Sequence, residues 1–174
     1  SDHDQASDVL EFAAALQWPV LAEPGSGARA GVTSILRYLD ILGDPELQPD
    51  VVVTVGRFAL SRAVAAYVRN APRHVAVGRS VVDPLSSVDL QIPRLPDVSK
   101  LAPSDSEWLE RWRQADARAQ QQPCQGSAAY VATALAAVRS GDLVWYGPST
   151  TIRDAERVAP SFDDAVTSHM NRGA

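Results

Sequence analysis

The sequence predicts an α/β protein: a Rossmann-like parallel sheet with helices on both faces, followed by a linker helix and a truncated second α/β unit. Three observations carry this expectation. Residues 50–56, DVVVTVG, form an uninterrupted β-branched run of the kind found in parallel strands buried on both faces. A helical pattern, ALSRAVAAYVRN (59–70), follows directly, and a second apolar run, RHVAVG (73–78), comes next. Strand, helix and strand in that order call for a crossover connection, which makes the strands parallel.

In chain order, Val9, Leu10, Phe12, Ala13 and Leu16 recur at helical spacing and predict a first helix. PVLA (19–22) replaces that period with a continuous apolar run and predicts a short buried strand. EPGSGARAG (23–31) interrupts regular structure, and Val32, Ile35, Leu36, Leu39 and Leu42 then predict a second helix that stops near Gly43 and Pro45. The strand at 50–56 is expected at the centre of the sheet, with VDLQI (88–92) a weaker strand after 73–78. A Rossmann-like unit ordinarily opens on a strand and this chain opens on a helix, so the first strand is expected to be missing.

The texture changes after Ile92. PRLPDVSKLAP (93–103) reads as a linker, and Ser104 with Glu107 makes a capping-box pattern before a helix that carries Trp108 and Trp112 on one face. A second unit begins near Pro123. It holds the helix SAAYVATALAAVRSG (127–141), the strand DLVWYG (142–147), a helix from Pro148 with Ile152, Ala155 and Val158 inward, and a tail with room for the start of another strand. The expected division is 1–97 for the central Rossmann-like domain, 98–122 for the linker and its helix, and 123–174 for the start of a further α/β domain.

With 45% hydrophobic and 21% charged residues the 174-residue chain can bury a core. A net charge of -5 argues against a nucleic-acid partner, because phosphate binding needs clustered basic side chains. No run reaches the roughly 20 apolar residues of a membrane span, and the N-terminus SDHDQASD is acidic where a signal peptide is basic. Cys124 stands alone, which excludes a disulfide framework or thiolate metal cluster and fits a cytoplasmic protein. His3, His74 and His169 lack ligand spacing, so packing or surface roles are expected and no metal site. Asp163 and Asp164 read as a solvated loop rather than an acid pair.

Three turns could carry chemistry. Gly25-Ser-Gly-Ala-Arg-Ala-Gly31 lies between a predicted strand and helix, where backbone amides favour an anion, but its third glycine falls one residue late for a dinucleotide fingerprint and a plain turn is the favoured reading. VGRFALSR (55–62) places Arg57 and Arg62 at the carboxyl end of the best strand, where open α/β sheets collect ligands; the plainer alternative is two solvated arginines. YGPSTTIR (146–153) is again a strand end turning into a helix. Capping explains Ser149, but not Arg153, because the helix dipole disfavours a cation near its start.

The segments WPVLAEPGSGAR (18–29), DVVVTVGRFALSR (50–62), GDLVWYGPSTTIRD (141–154) and NRGA (171–174) together resemble SEPHCHC synthase of the mycobacterial and actinobacterial type, a thiamine-diphosphate-dependent enzyme of menaquinone biosynthesis. The resemblance implies a chain that holds the central domain and the first stretch of the diphosphate-binding domain. In the family, 2-oxoglutarate is decarboxylated and the remaining unit is added to isochorismate. The positions matching substrate contacts are Arg62, Ser149, Arg153, Asn171 and Arg172. Thiamine diphosphate and Mg²⁺ serve the full-length enzyme, which is a dimer or tetramer. The cofactor-activating glutamate and the metal-binding motif have no counterpart here, so this fragment is expected to bind no cofactor and to be inactive alone. Gly147-Pro148-Ser149 stands where many relatives read Gly-Asn-Ser. A second reading makes the central domain an allosteric regulatory module, with Arg57, Arg62, Arg79, Gly25 and Gly27 holding an acidic aromatic effector.

Overall fold

The structure, a computed structural model, describes residues 2–170 except 57–60, 80–82, 84 and 163–164; for residues 2–4 the backbone alone is described. The β-branched run becomes β1 (Val51–Val55), parallel to β2 (Arg73–Val77), which is parallel to β3 (Leu90–Ile92). The order β1-β2-β3 puts β2 in the middle and β1 at an edge of the described sheet, which corrects the expectation of a central 50–56 strand. A β-branched run reports covered faces rather than the number of paired neighbours. Val52 to Val55 are half-buried, and Val51 is 41% exposed.

His74 ties the sheet together from its middle strand. Its Nε2 pairs with Thr54 Oγ1 of β1 at 2.8 Å, its Nδ1 with Ser87 Oγ at 2.9 Å, and its backbone N–H donates to Asp89 at 2.7 Å. The ring is buried, and that burial holds its pKa below the usual value, so this histidine is a packing group, as its isolation in the sequence predicts.

Helix α1 (Asp2–Leu16) forms where the periodicity places it. Two neighbouring expectations fail. PVLA makes a single parallel bridge, Val20 to Ser34, instead of a strand. Residues 32–42 form turns and one 3-10 turn, Tyr38–Asp40, instead of a helix. The Ser34 hydroxyl accepts from Gly31 N–H and donates to the Ala28 carbonyl, a local alternative to helical bonding. The apolar side chains are buried all the same, Ile35 and Tyr38 at 1% exposure. A side chain on Gly31 would run into Leu10 of α1, so close approach of the two segments explains that glycine.

Helix α2 (Arg62–Asn70) starts on Ser61, whose hydroxyl accepts from Ala63 N–H. Helix α3 (Ser106–Gln120) is capped by Asp105, which accepts from Glu107 N–H at 3.0 Å, and not by the Ser104–Glu107 box. Ser104 instead donates to the Leu16 and Gln17 carbonyls, holding the linker against the end of α1. Trp112 of α3 is the keystone of the first core. It packs edge-on to Tyr67 of α2 at 6.2 Å and to Trp108 at 6.1 Å, beside Ile35, Tyr38, Leu42 and Leu47.

The second sheet pairs β4 (Leu143–Tyr146) in parallel with β5 (Thr167–Met170), so the tail does contain a strand. Helix α4 (Ser127–Leu135) packs against α5 (Thr150–Val158), the crossover between β4 and β5. Leu135, Tyr146, Ile152, Ala155 and Ala159 form its core. Among the described residues no helix is long and apolar enough to cross a membrane.

Trp112→Ala should destabilise the chain by about 3–5 kcal/mol in urea unfolding followed by circular dichroism, because it opens a cavity between α2 and α3. Trp112→Phe should cost less, since the indole N–H has no partner among the described residues to lose.

Candidate functional site

Helix α5 begins under strain. Ser149, its N-cap residue, sits at φ 67° and ψ -122°, a conformation that side-chain-bearing residues rarely adopt and that costs on the order of 1–3 kcal/mol. Its hydroxyl makes no capping bond and is exposed, and the first helical turn holds no acidic residue. The open N–H groups of that turn and the positive end of the helix dipole therefore face outward unanswered. One turn along, the Arg153 side chain is exposed and has no hydrogen-bond or ion-pair partner among the described residues.

The other half of α5 is held firmly. Arg29, 6% exposed, donates to the Ala22 carbonyl at 2.7 Å, to Leu36 at 3.0 Å and to Ala159, just past the end of α5, at 2.8 Å. Its guanidinium also lies 5.9 Å from the Tyr38 ring centre. The Tyr38 hydroxyl donates to Glu156 Oε1 of α5 at 2.9 Å, and Arg157 pairs with Asp40 at 2.6 Å. Burial pushes the Glu156 carboxyl up from 4.5 to about 7, against the opposing pull of the Tyr38 hydrogen bond and the Arg29 and Arg157 charges. Neither Arg29 nor Glu156 stands out in composition or motif. Glu156 could have been found from spacing, because Ile152, Ala155, Glu156 and Ala159 fall on one helical face and all are buried.

The other expected site residues are distributed as follows. Arg62 is exposed at the start of α2, beyond the carboxyl end of β1, and Arg79 is exposed just past β2. Gly25 and Gly27 belong to a turn that packs on the second unit: a side chain on Gly25 would meet Met170 Cγ of β5 at 2.9 Å. The glycine turn thus serves the joint between the units through Gly25 and Arg29. Arg57, Asn171, Arg172, Asp163 and Asp164 lie outside the described residues. β5 ends on Met170 opposite Tyr146, so both strands of the second sheet finish at the edge where Ser149 stands. Cys124 is a free thiol near Arg37 at 3.9 Å. Among the described residues no three His, Cys, Asp or Glu side chains gather as metal ligands.

The class the fold defines is an α/β protein whose second unit is a parallel β-α-β, with Ser149 and Arg153 exposed where β4 runs into α5. The particular relatives are synthases. Over 98% of its length the chain is 32% identical, across 199 aligned positions, to the 2-succinyl-5-enolpyruvyl-6-hydroxy-3-cyclohexene-1-carboxylate (SEPHCHC) synthase of Nocardioides sp., covering 35% of that protein. It is 31% identical to the enzyme of the same name from Arthrobacter sp., again over 98% of the chain and 31% of the relative. A shorter stretch of 85 residues, 47% of the chain, is 44% identical to the Thermobifida fusca synthase. No family model matches the chain. The chain is thus related to SEPHCHC synthases over nearly its whole length and spans about a third of the length of these relatives.

Arg29→Met keeps most of the side-chain volume and removes every hydrogen bond, leaving the Ala22 and Ala159 carbonyls without it. A loss on the order of 3 kcal/mol is expected in thermal or urea unfolding. Glu156 gives a pH signature. Its folded pKa lies above its unfolded one, so its stabilising contribution is full below about 4.5 and is lost as pH rises through about 7. Comparing unfolding free energies at pH 5 and pH 8, Glu156→Gln should flatten the curve and remove a decline of roughly 3 kcal/mol at most.

Proposed function

We propose that the chain is the central part of a thiamine-diphosphate-dependent SEPHCHC synthase of menaquinone biosynthesis, a transferase, and that the β4–α5 edge holds substrate carboxylates. The observation that carries this reading is the pairing of a strained Ser149 that caps nothing with an exposed, unpartnered Arg153 one turn later. The product named in the relatives supplies the chemistry. It bears three acidic groups: the succinyl end, the enolpyruvyl group and the ring carboxylate. A planar guanidinium binds a carboxylate through two parallel hydrogen bonds and fixes its orientation as well as its position.

In this reading the complete enzyme joins a unit from 2-oxoglutarate to isochorismate. Arg153 grips one carboxylate, Ser149 Oγ and the first N–H groups of α5 hold a neighbouring oxygen, and Arg62, Asn171 and Arg172 add further contacts. Orientation of two polyanionic reactants is where these residues lower the barrier. Thiamine diphosphate with Mg²⁺ supplies the carbon–carbon chemistry when bound. The described residues offer no acidic cluster for that metal, so they do not fit the cofactor site, and no step here runs through it. We propose accordingly that the 174 residues alone turn over no substrate. In the assembled enzyme, 1–97 corresponds to the central domain, 98–122 to the linker and 123–174 to the start of the diphosphate-binding domain.

In the complete synthase containing this segment, Arg153→Ala should lower kcat/KM by roughly tenfold to a hundredfold, the value of a charge-assisted contact. Arg62→Ala should fall in the same range. Arg153→Lys should lose nearly as much, because lysine keeps the charge without the fork. Arginines that are merely solvated would leave all three variants within about twofold of the parent.

A further inference from the structure

Resting on the carboxylate-binding reading of Arg153, we propose that Tyr38 and Glu156, with Arg29, are positioning residues: a buried bridge from the first unit that sets where α5 presents Arg153 to substrate. Glu156 lies three residues after Arg153 on the same helix, so a rigid-body displacement that moves one moves the other. Three contacts cross from the 22–40 segment to the C-terminal half of α5. They are Tyr38 to Glu156 at 2.9 Å, Arg29 to the Ala159 carbonyl at 2.8 Å, and Asp40 to Arg157 at 2.6 Å. Tyr38 and Glu156 are 1% and 2% exposed, so the bridge is shielded from water and its geometry is determined by packing.

The N-terminal half of α5 is packed through Ile152 in the core of the second unit and has no polar anchor of this kind among the described residues. Ser149 makes no side-chain cap, Thr150 and Thr151 are exposed, and Arg153 has no partner among the described residues. The place of Arg153 thus depends both on Ile152 in the second unit's core and on the buried bridge at the other end of its helix, so a residue of the first unit that never touches substrate bears on a contact made by the second. The groups facing Glu156 are the Tyr38 hydroxyl and the Arg29 guanidinium, with the Glu23 and Arg157 charges beside it. Raising the pH through about 7 places a charge in this bridge, which burial disfavours and the Tyr38 hydroxyl and Arg29 partly offset.

The test is a double-mutant cycle in the complete synthase, reading KM and kcat for each acidic substrate with circular dichroism to establish that each variant is folded. Tyr38→Phe, which deletes only the donor, should lower kcat/KM roughly fivefold or more, mostly through KM. The same change in an Arg153→Ala background should lower it by no more than about twofold, because the residue through which it acts is gone. A second variant, Glu156→Gln, keeps an oxygen for the Tyr38 hydroxyl and does not titrate. The parent's KM for the acidic substrate should rise as pH passes about 7, and this inflection should be missing in Glu156→Gln. Equal losses from Tyr38→Phe in both backgrounds would mean a general structural role and overturn the proposal. So would an unchanged KM inflection in Glu156→Gln, a test that holds even if Tyr38→Phe does not fold. If Arg153→Ala itself leaves kcat/KM within about twofold, the carboxylate reading fails first. If Arg153→Ala is impaired and Tyr38→Phe is not, only the positioning role fails.

Discussion

A guanidinium taken out of water must be surrounded by acceptors, and the burial of Arg29 sets the conditions for much of the rest of the structure. Its acceptors are the carbonyls of Ala22, Leu36 and Ala159. Two of them lie in the stretch between α1 and β1. The third belongs to the end of α5. One charge thus bends the 22–36 segment, aligns Tyr38 beneath it and fastens the second sheet to the first unit. The cost of burying the charge is offset by these three hydrogen bonds and by the nearby Glu156, which bonds to Tyr38 rather than to the guanidinium, while the Arg29 Nε–H has no partner among the described residues.

This fastening gives α5 two unlike ends. Its inner face is packed through Ile152, Ala155 and Glu156, and its N-cap residue holds a rare backbone conformation with no capping bond from its side chain. Strain of that kind persists only where the surroundings over-determine it. The buried contacts of the same helix are the surroundings that hold it, and under the proposed function they would pre-organise the edge that carries Ser149 and Arg153. The product named for the relatives carries carboxylates at three separated positions, and the proposed role of this edge rests on that chemistry.

Much of the architecture was legible in the residues. The runs at 50–56 and 73–78 became parallel strands because β-branched side chains pack well on a pleated surface covered on both sides. Trp108 and Trp112 marked the inner face of α3, and the period of Ile152, Ala155 and Val158 marked α5. The 32–42 segment was not legible, because Ile35, Tyr38 and Leu42 have helical spacing but a chain of turns can bury the same side chains. Which strand is central was equally hidden, since periodicity reports faces and not neighbours. In the candidate site, Ser149 and Arg153 were visible as a mismatch between the helix dipole and an arginine. Arg29 was not: within a Gly-rich turn it reads as a solvated or anion-binding group, and only long-range contact shows that it is buried. The contact of the Gly25 turn with Met170 was hidden for the same reason, because it too joins residues far apart in sequence.

The most direct measurement is a carbon-13 NMR titration of the Glu156 side-chain carboxyl in the 174-residue chain, assigned by comparison with Glu156→Gln. A carboxyl sealed against Tyr38 between the two units should titrate with a midpoint near 7 and sense the Tyr38→Phe change. A midpoint near the ordinary 4.5, unmoved by Tyr38→Phe, would mean that α5 is not seated on the first unit and that no buried bridge holds the substrate-facing edge in place.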